Sequence, residues 1–219
     1  MKKLLATALM VGIGLAASAD LYTDSVGDTF PGIAHIDIVS AEITDDETDI
    51  FFSITTNGDI ALAGWGNFMV AISTEAGGDT ANPWVRPITF TTPINYWVGT
   101  WSDGGGGSQF WSYDGSAWEL DSATDNYSIS GNTVSFSLPL ASLGLGPNET
   151  IEFDIFSSGT GGNDGAIDSL ADPNETISTW DGSYESTTML SYTTIPEPGT
   201  IALLAIGGLW LAWARRRFM

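Results

Sequence analysis

Strand-like alternation runs through the middle of the chain. Ile50, Phe52 and Ile54 alternate with Phe51, Ser53 and Thr55, a period of two that sends each set to one face of a strand. Phe68, Val70 and Ile72 alternate in the same way with Asn67, Met69 and Ala71. A β-branched run over 36–44 precedes them, and further strands are predicted over 94–101, 109–113, 127–129, 133–138, 151–157 and 189–192. Polar breaks separate the runs: Asp45-Asp46-Glu47-Thr48-Asp49, Asn57-Gly58-Asp59, and the hairpin dipeptide Gly131-Asn132. Only 140–145, after Pro139, invites a helical turn, and no stretch of 20–194 sustains a helical period. Many short strands joined by Gly, Asn and Asp turns predict one all-β domain over 20–194, an antiparallel β-sandwich.

Both ends depart from this pattern. At the N-terminus, Lys2 and Lys3 precede an apolar run from Leu4 to Leu15, and Ala17-Ser18-Ala19 supplies small residues for cleavage before Asp20. Residues 1–19 therefore read as a signal peptide, with signal peptidase as a partner during export. At the C-terminus, Pro196-Glu197-Pro198 fixes an extended stretch that cannot continue a sheet. Residues 201–214 follow without a charge, a hydrophobic helix of about 21 Å at 1.5 Å per residue. That is short for a membrane core of about 30 Å, but flanking residues extend it and Arg215, Arg216 and Arg217 can snorkel. The arginines should stay cytoplasmic and leave the body outside.

Together, Pro196-Glu197-Pro198, the apolar helix and the arginine cluster over 195–219 resemble the PEP-CTERM sorting signal. The resemblance implies export from a Gram-negative bacterium that makes extracellular polysaccharide. It also implies transient anchoring in the inner membrane, processing by an exosortase, and delivery to the cell surface or matrix. Residues 20–54 carry a second resemblance. Asp24-Ser25-Val26-Gly27-Asp28, then Ile36-Asp37-Ile38, then Asp49-Ile50-Phe51-Phe52-Ser53-Ile54 look like the DOMON-like and family 9 carbohydrate-binding sandwiches. This implies a jelly-roll-like fold and a binding role, and it carries over no ligand residue.

Charge narrows the partners. Of 27 acidic residues all but Glu197 lie in 20–194, whereas of six cations only Arg86 does. Such a body repels nucleic acid and anionic membrane. The chain has no cysteine, which excludes disulfides, a thiol nucleophile and thiolate metal sites. His35 is the lone histidine, too few for an imidazole metal centre, and no Gly-x-Ser-x-Gly elbow accompanies it. The expectation is no enzyme. A glycosidase needs only two suitably placed carboxylates, but nothing in the sequence selects a pair.

Two sets of residues are candidates for binding. Trp97, Gly99 and Trp101 share one strand face, and Gln109, Trp111 and Tyr113 share the next, across the Gly-rich 102–108. With Trp101 opposite Gln109, Trp97 would oppose Tyr113 and Gly99 would oppose Trp111. Trp97, Trp101, Trp111 and Tyr113 then form a flat platform on which a sugar of an extracellular polysaccharide can stack. The competing reading is a core face, or an aromatic ring covering a bare glycine in the strand. Asp164, Asp168 and Asp172 recur every four residues in an acidic loop and are candidate calcium ligands by their hard oxygens. Their competing reading is a solvated loop, in which case the chain takes no cofactor. A structural or adhesive matrix protein without a small ligand stands as the alternative function.

Overall fold

A computed structural model of the protein describes residues 19–30 and 32–195. Residues 1–18, and the tail from Pro196 with its apolar segment 201–214, lie outside the described residues. Among the described residues no helix is long and apolar enough to cross a membrane.

The chain runs through β1 (Ala19–Thr23), β2 (Ile38–Asp45), β3 (Asp49–Thr56), one helical turn α1 (Ile60–Ala63), β4 (Asn67–Ser73), β5 (Asp79–Ala81), β6 (Ile88–Ile94), β7 (Tyr96–Trp101) and β8 (Gly107–Tyr113). It continues through β9 (Trp118–Ser122), β10 (Asp125–Ser130), β11 (Thr133–Pro139), β12 (Thr150–Ser158), β13 (Asp168–Ser169), β14 (Tyr184–Ser186) and β15 (Leu190–Thr193). The helical turn predicted after Pro139 is a short 3-10 helix, Leu140–Leu143. The expected mature start, Asp20, is the second residue of β1.

The strands form two main sheets. The first has the order β1-β2-β3-β11-β10, and the second the order β13-β12-β4-β7-β8-β9, with β15 also on β12. All pairs within these two sheets are antiparallel. The β2–β3 turn shows how local chemistry sets register. The Asp46 carboxylate accepts from the backbone N–H groups of Thr48 and Asp49, at 3.0 and 2.9 Å, an Asx-type closure. Ile43 then falls opposite Phe52.

The predicted alternation in β3 holds: Ile50, Phe52 and Ile54 are buried between the two sheets. There Phe52 stacks on Phe136 at 5.1 Å and meets the edge of Phe153 at 6.4 Å. Val70, Ile72, Val98 and Phe110 line the same core from the second sheet.

A third layer is the departure from expectation. β5 and β6 pair with each other and β14 adds in parallel, giving the small sheet β14-β6-β5. It covers the outer face of the second sheet and closes a second core of Met69, Ala71, Trp97, Phe156, Ile88 and Phe90. β4 is therefore buried at every position, as befits a strand with an apolar layer on each side.

Candidate functional site

The aromatic residues of β7 and β8 do share a face, but the register and the surroundings differ from the predicted platform. Trp97 pairs with Trp111, Gly99 with Gln109 and Trp101 with Gly107. Trp101 lies against Gly107, where a Cβ would come within 2.3 Å of its ring. The space over Gly99 is not open: the Trp84 ring occupies it, 2.0 Å from where a Cβ would stand. Trp97 is 0% exposed, with Phe156, Phe90 and Trp84 at ring distances of 6.4, 6.3 and 6.2 Å. Trp97 is thus core, and the flat platform drawn from sequence does not form. The cause is the third layer, which places apolar residues over a face that a two-layer sandwich would leave wet.

Trp101, Trp111 and Tyr113 remain half-buried. Gln109 ties this layer together, its side-chain oxygen accepting from the indole N–H of Trp84 at 2.9 Å and of Trp111 at 3.2 Å. At the far end Tyr113 meets Trp118 at 5.4 Å. Beside it is a surface hollow lined by Tyr96, Ser112, Tyr113, Asp121, Ser122 and Ser142, among others.

Arg86 anchors the third layer from within. It is 7% exposed and donates to the Ser158 hydroxyl at 2.7 Å and to the carbonyls of Asp164, Gly161 and Gly159 at 2.9, 3.1 and 3.3 Å. Burial lowers its pKa, and the nearby Asp164 charge acts against that.

The candidate calcium ligands are redistributed. Asp164 accepts from the Gly161 N–H at 2.8 Å and closes its own loop. Asp172 accepts from the backbone and side-chain N–H groups of Asn174 and from the Tyr184 hydroxyl. Only Asp168, on β13, joins a group of carboxylates, and its companions come from the opposite end of the sequence. One oxygen each of Asp24, Asp28 and Asp168 lie within 4.8 Å of one another. The four-residue spacing fails as a guide because 164–172 is turn and extended strand, so successive aspartates face different neighbours.

Asp24 and Asp28 bracket the loop that leaves β1. Asp37 stands beside them just before β2, its Oδ2 accepting from the Gly27 N–H at 3.0 Å and the Asn57 amide at 3.1 Å. Asp168 accepts from the N–H groups of Ile38 and Ser169, at 2.5 and 2.9 Å. Burial, reinforced by neighbouring carboxylates, pushes Asp168 up to about 8 and Asp24 up to about 7. Asp28 is also raised, by burial first and then by Asp37 and Asp172. Sequence reasoning noted Asp24, Asp28 and Asp37 only as part of a resemblance. A carboxylate between two buried isoleucines, Ile36-Asp37-Ile38, was the available sign.

His35 is a packing residue in its surroundings. Its ring meets Trp65 edge-on at 4.2 Å, and burial lowers its pKa.

The last strand of the second sheet ends just short of the tail. β15 stops at Thr193, and the Ile195 N–H donates to Asp45 Oδ2 at 3.0 Å, beside the Tyr192 hydroxyl on the same oxygen at 2.6 Å. Ile195, the last described residue, is thus pinned to the β-sheet body. Residues 194–217 match the family described as PEP-CTERM protein-sorting motif. The chain carries that motif, which marks it as an exported substrate of an exosortase. No curated protein matches the chain, so the resemblance to DOMON-like and family 9 sandwiches rests on its own residues alone.

Proposed function

We propose that the chain is a non-enzymatic module of the cell surface or exopolysaccharide matrix, and that it contacts saccharide at the hollow between Tyr96 and Tyr113. The observation that carries this is the lining of that hollow. Tyr113 is half-buried, and Ser112, Ser122 and Ser142 line the same opening with Asp121. A sugar ring offers an apolar C–H face and polar edges, and concave sites pair apolar walls with a few placed polar groups. Tyr96 is backed by Phe110, stacked at 5.8 Å, so its ring is held in place before a ligand arrives.

Binding to a glycan array, followed by affinity electrophoresis through gels loaded with the glycans retained, tests the reading. Tyr113→Ala and Asp121→Asn are expected to weaken retention about tenfold, the loss of roughly 1.4 kcal/mol, without lowering the melting temperature. A parent protein retained by no glycan refutes saccharide contact. That result would favour a structural matrix module.

A further inference from the structure

We propose that Asp24, Asp28 and Asp168, with the buried Asp37 carboxylate beside them, form a binding site for one calcium ion, which clips the loop after β1 to the start of β2 and to β13. Three observations converge on it. The first is spacing. Oxygens bound to one calcium at about 2.4 Å can be no more than about 4.8 Å apart, and one oxygen each of Asp24, Asp28 and Asp168 meets that limit. The second is unused donor capacity. Asp24 Oδ2, both oxygens of Asp28 and Asp37 Oδ1 are buried without a hydrogen-bond partner among the described residues. Asp37 is only 2% exposed, and its carboxylate is turned into the Asp24–Asp28 loop by the Gly27 N–H. The third is charge. Arg86, the lone cation of 20–194, is engaged with the 158–164 loop, so no side-chain cation there neutralises the cluster.

Buried carboxylate oxygens left without a partner are costly. They are relieved by protons or by a metal. An all-oxygen, carboxylate-rich set without imidazole or thiolate suits a hard cation, and side chains drawn from three separate segments suit the flexible coordination of calcium more than the strict octahedron of magnesium. Asp168 is held by backbone N–H groups and is 1% exposed. It would form the fixed wall, with the Asp24–Asp28 loop as the side that closes. The site would join β1, an edge of the first sheet, to β13, an edge of the second, and make that join conditional on the ion. An affinity in the range of extracellular modules, about 10⁻⁴–10⁻³ M, would leave the clip closed outside the cell and open where calcium is scarce.

The test is calorimetric titration and thermal melting of the full chain in detergent micelles after stripping with EGTA. Calcium chloride is expected to bind at one equivalent and, near saturation, to raise the melting temperature by about 5–10 °C. Asp28→Asn removes a ligand and a repelling charge together, so its effects should cross. It should melt above the parent in EGTA, below it in calcium, and bind calcium about tenfold or more weakly. Asp24→Asn should behave alike, and Asp164→Asn should keep the parent affinity. A parent protein that shows neither calcium heat nor a melting shift overturns the site, as does Asp28→Asn with parental affinity. Magnesium binding as tightly as calcium overturns the choice of ion.

Discussion

Trp97→Ala separates a core tryptophan from a sugar-stacking one, because the two roles predict opposite outcomes. An aromatic side chain buries roughly 200 Å², which at about 25 cal/mol per Å² is near 5 kcal/mol of transfer free energy. Alanine keeps the Cβ, and removal of the indole also deletes an N–H that is buried without a partner, a cost of about 1–3 kcal/mol in the parent. The cavity left against Phe90, Phe156 and Trp84 works the other way. The net expectation is a loss of about 3 kcal/mol, or a melting temperature lower by about 6–12 °C for a domain of this size. Urea unfolding followed by far-ultraviolet circular dichroism reads it, with an unchanged slope confirming that only stability has moved. Trp97→Phe keeps an aromatic ring and removes the orphan N–H, so it should cost about 1 kcal/mol or less. A loss under about 1 kcal/mol for Trp97→Ala would refute the placement of this ring between the second sheet and the third layer.

Two further outcomes follow from buried polar groups. Arg86→Met removes the guanidinium hydrogen bonds to Ser158 and to the carbonyls of Gly159, Gly161 and Asp164. Relief from burying a cation offsets part of the loss, and denaturant titration should show about 2–4 kcal/mol of destabilisation; a value near zero would mean that the third layer stands without this anchor. Asp154 lies fully buried, and burial pushes it up to about 7 against hydrogen bonds from Ser186, Ser169, Ile155 and Ala171. Its folded form therefore holds a proton that the unfolded form has released above about pH 3.9. Its contribution to stability is present at low pH and lost as pH rises from about 4 through 7. Asp154→Asn should flatten that fall in urea titrations across the same window, and a pH dependence identical to the parent would remove Asp154 from the account.

The face of β3 was legible because Ile50, Phe52 and Ile54 belong to a strand with one side in the core, where period two is unambiguous. The tail was legible for a similar reason: prolines, an apolar run and arginines each act locally. The third layer was not. β5 and β14 have three residues each, too few to show a period, and Pro93 interrupts the pattern of β6. Without that layer nothing in the sequence says that a Trp84 ring will lie on Gly99. The carboxylate cluster was hidden differently. The bond from Ile38 N–H to Asp168 spans 130 positions, so the meeting of two sheets, not spacing, brings these aspartates together. The regular spacing of Asp164, Asp168 and Asp172 drew attention to residues that the backbone then turns apart.

The central claim is that this β body is exported and trimmed at a sorting motif beginning where β15 ends. Intact mass spectrometry of the protein recovered outside the inner membrane tests it most directly. The account predicts a chain that begins at Asp20 and ends between Pro196 and Gly199, with the apolar segment and Arg215, Arg216 and Arg217 gone. A released protein that still ends at Met219 would contradict it.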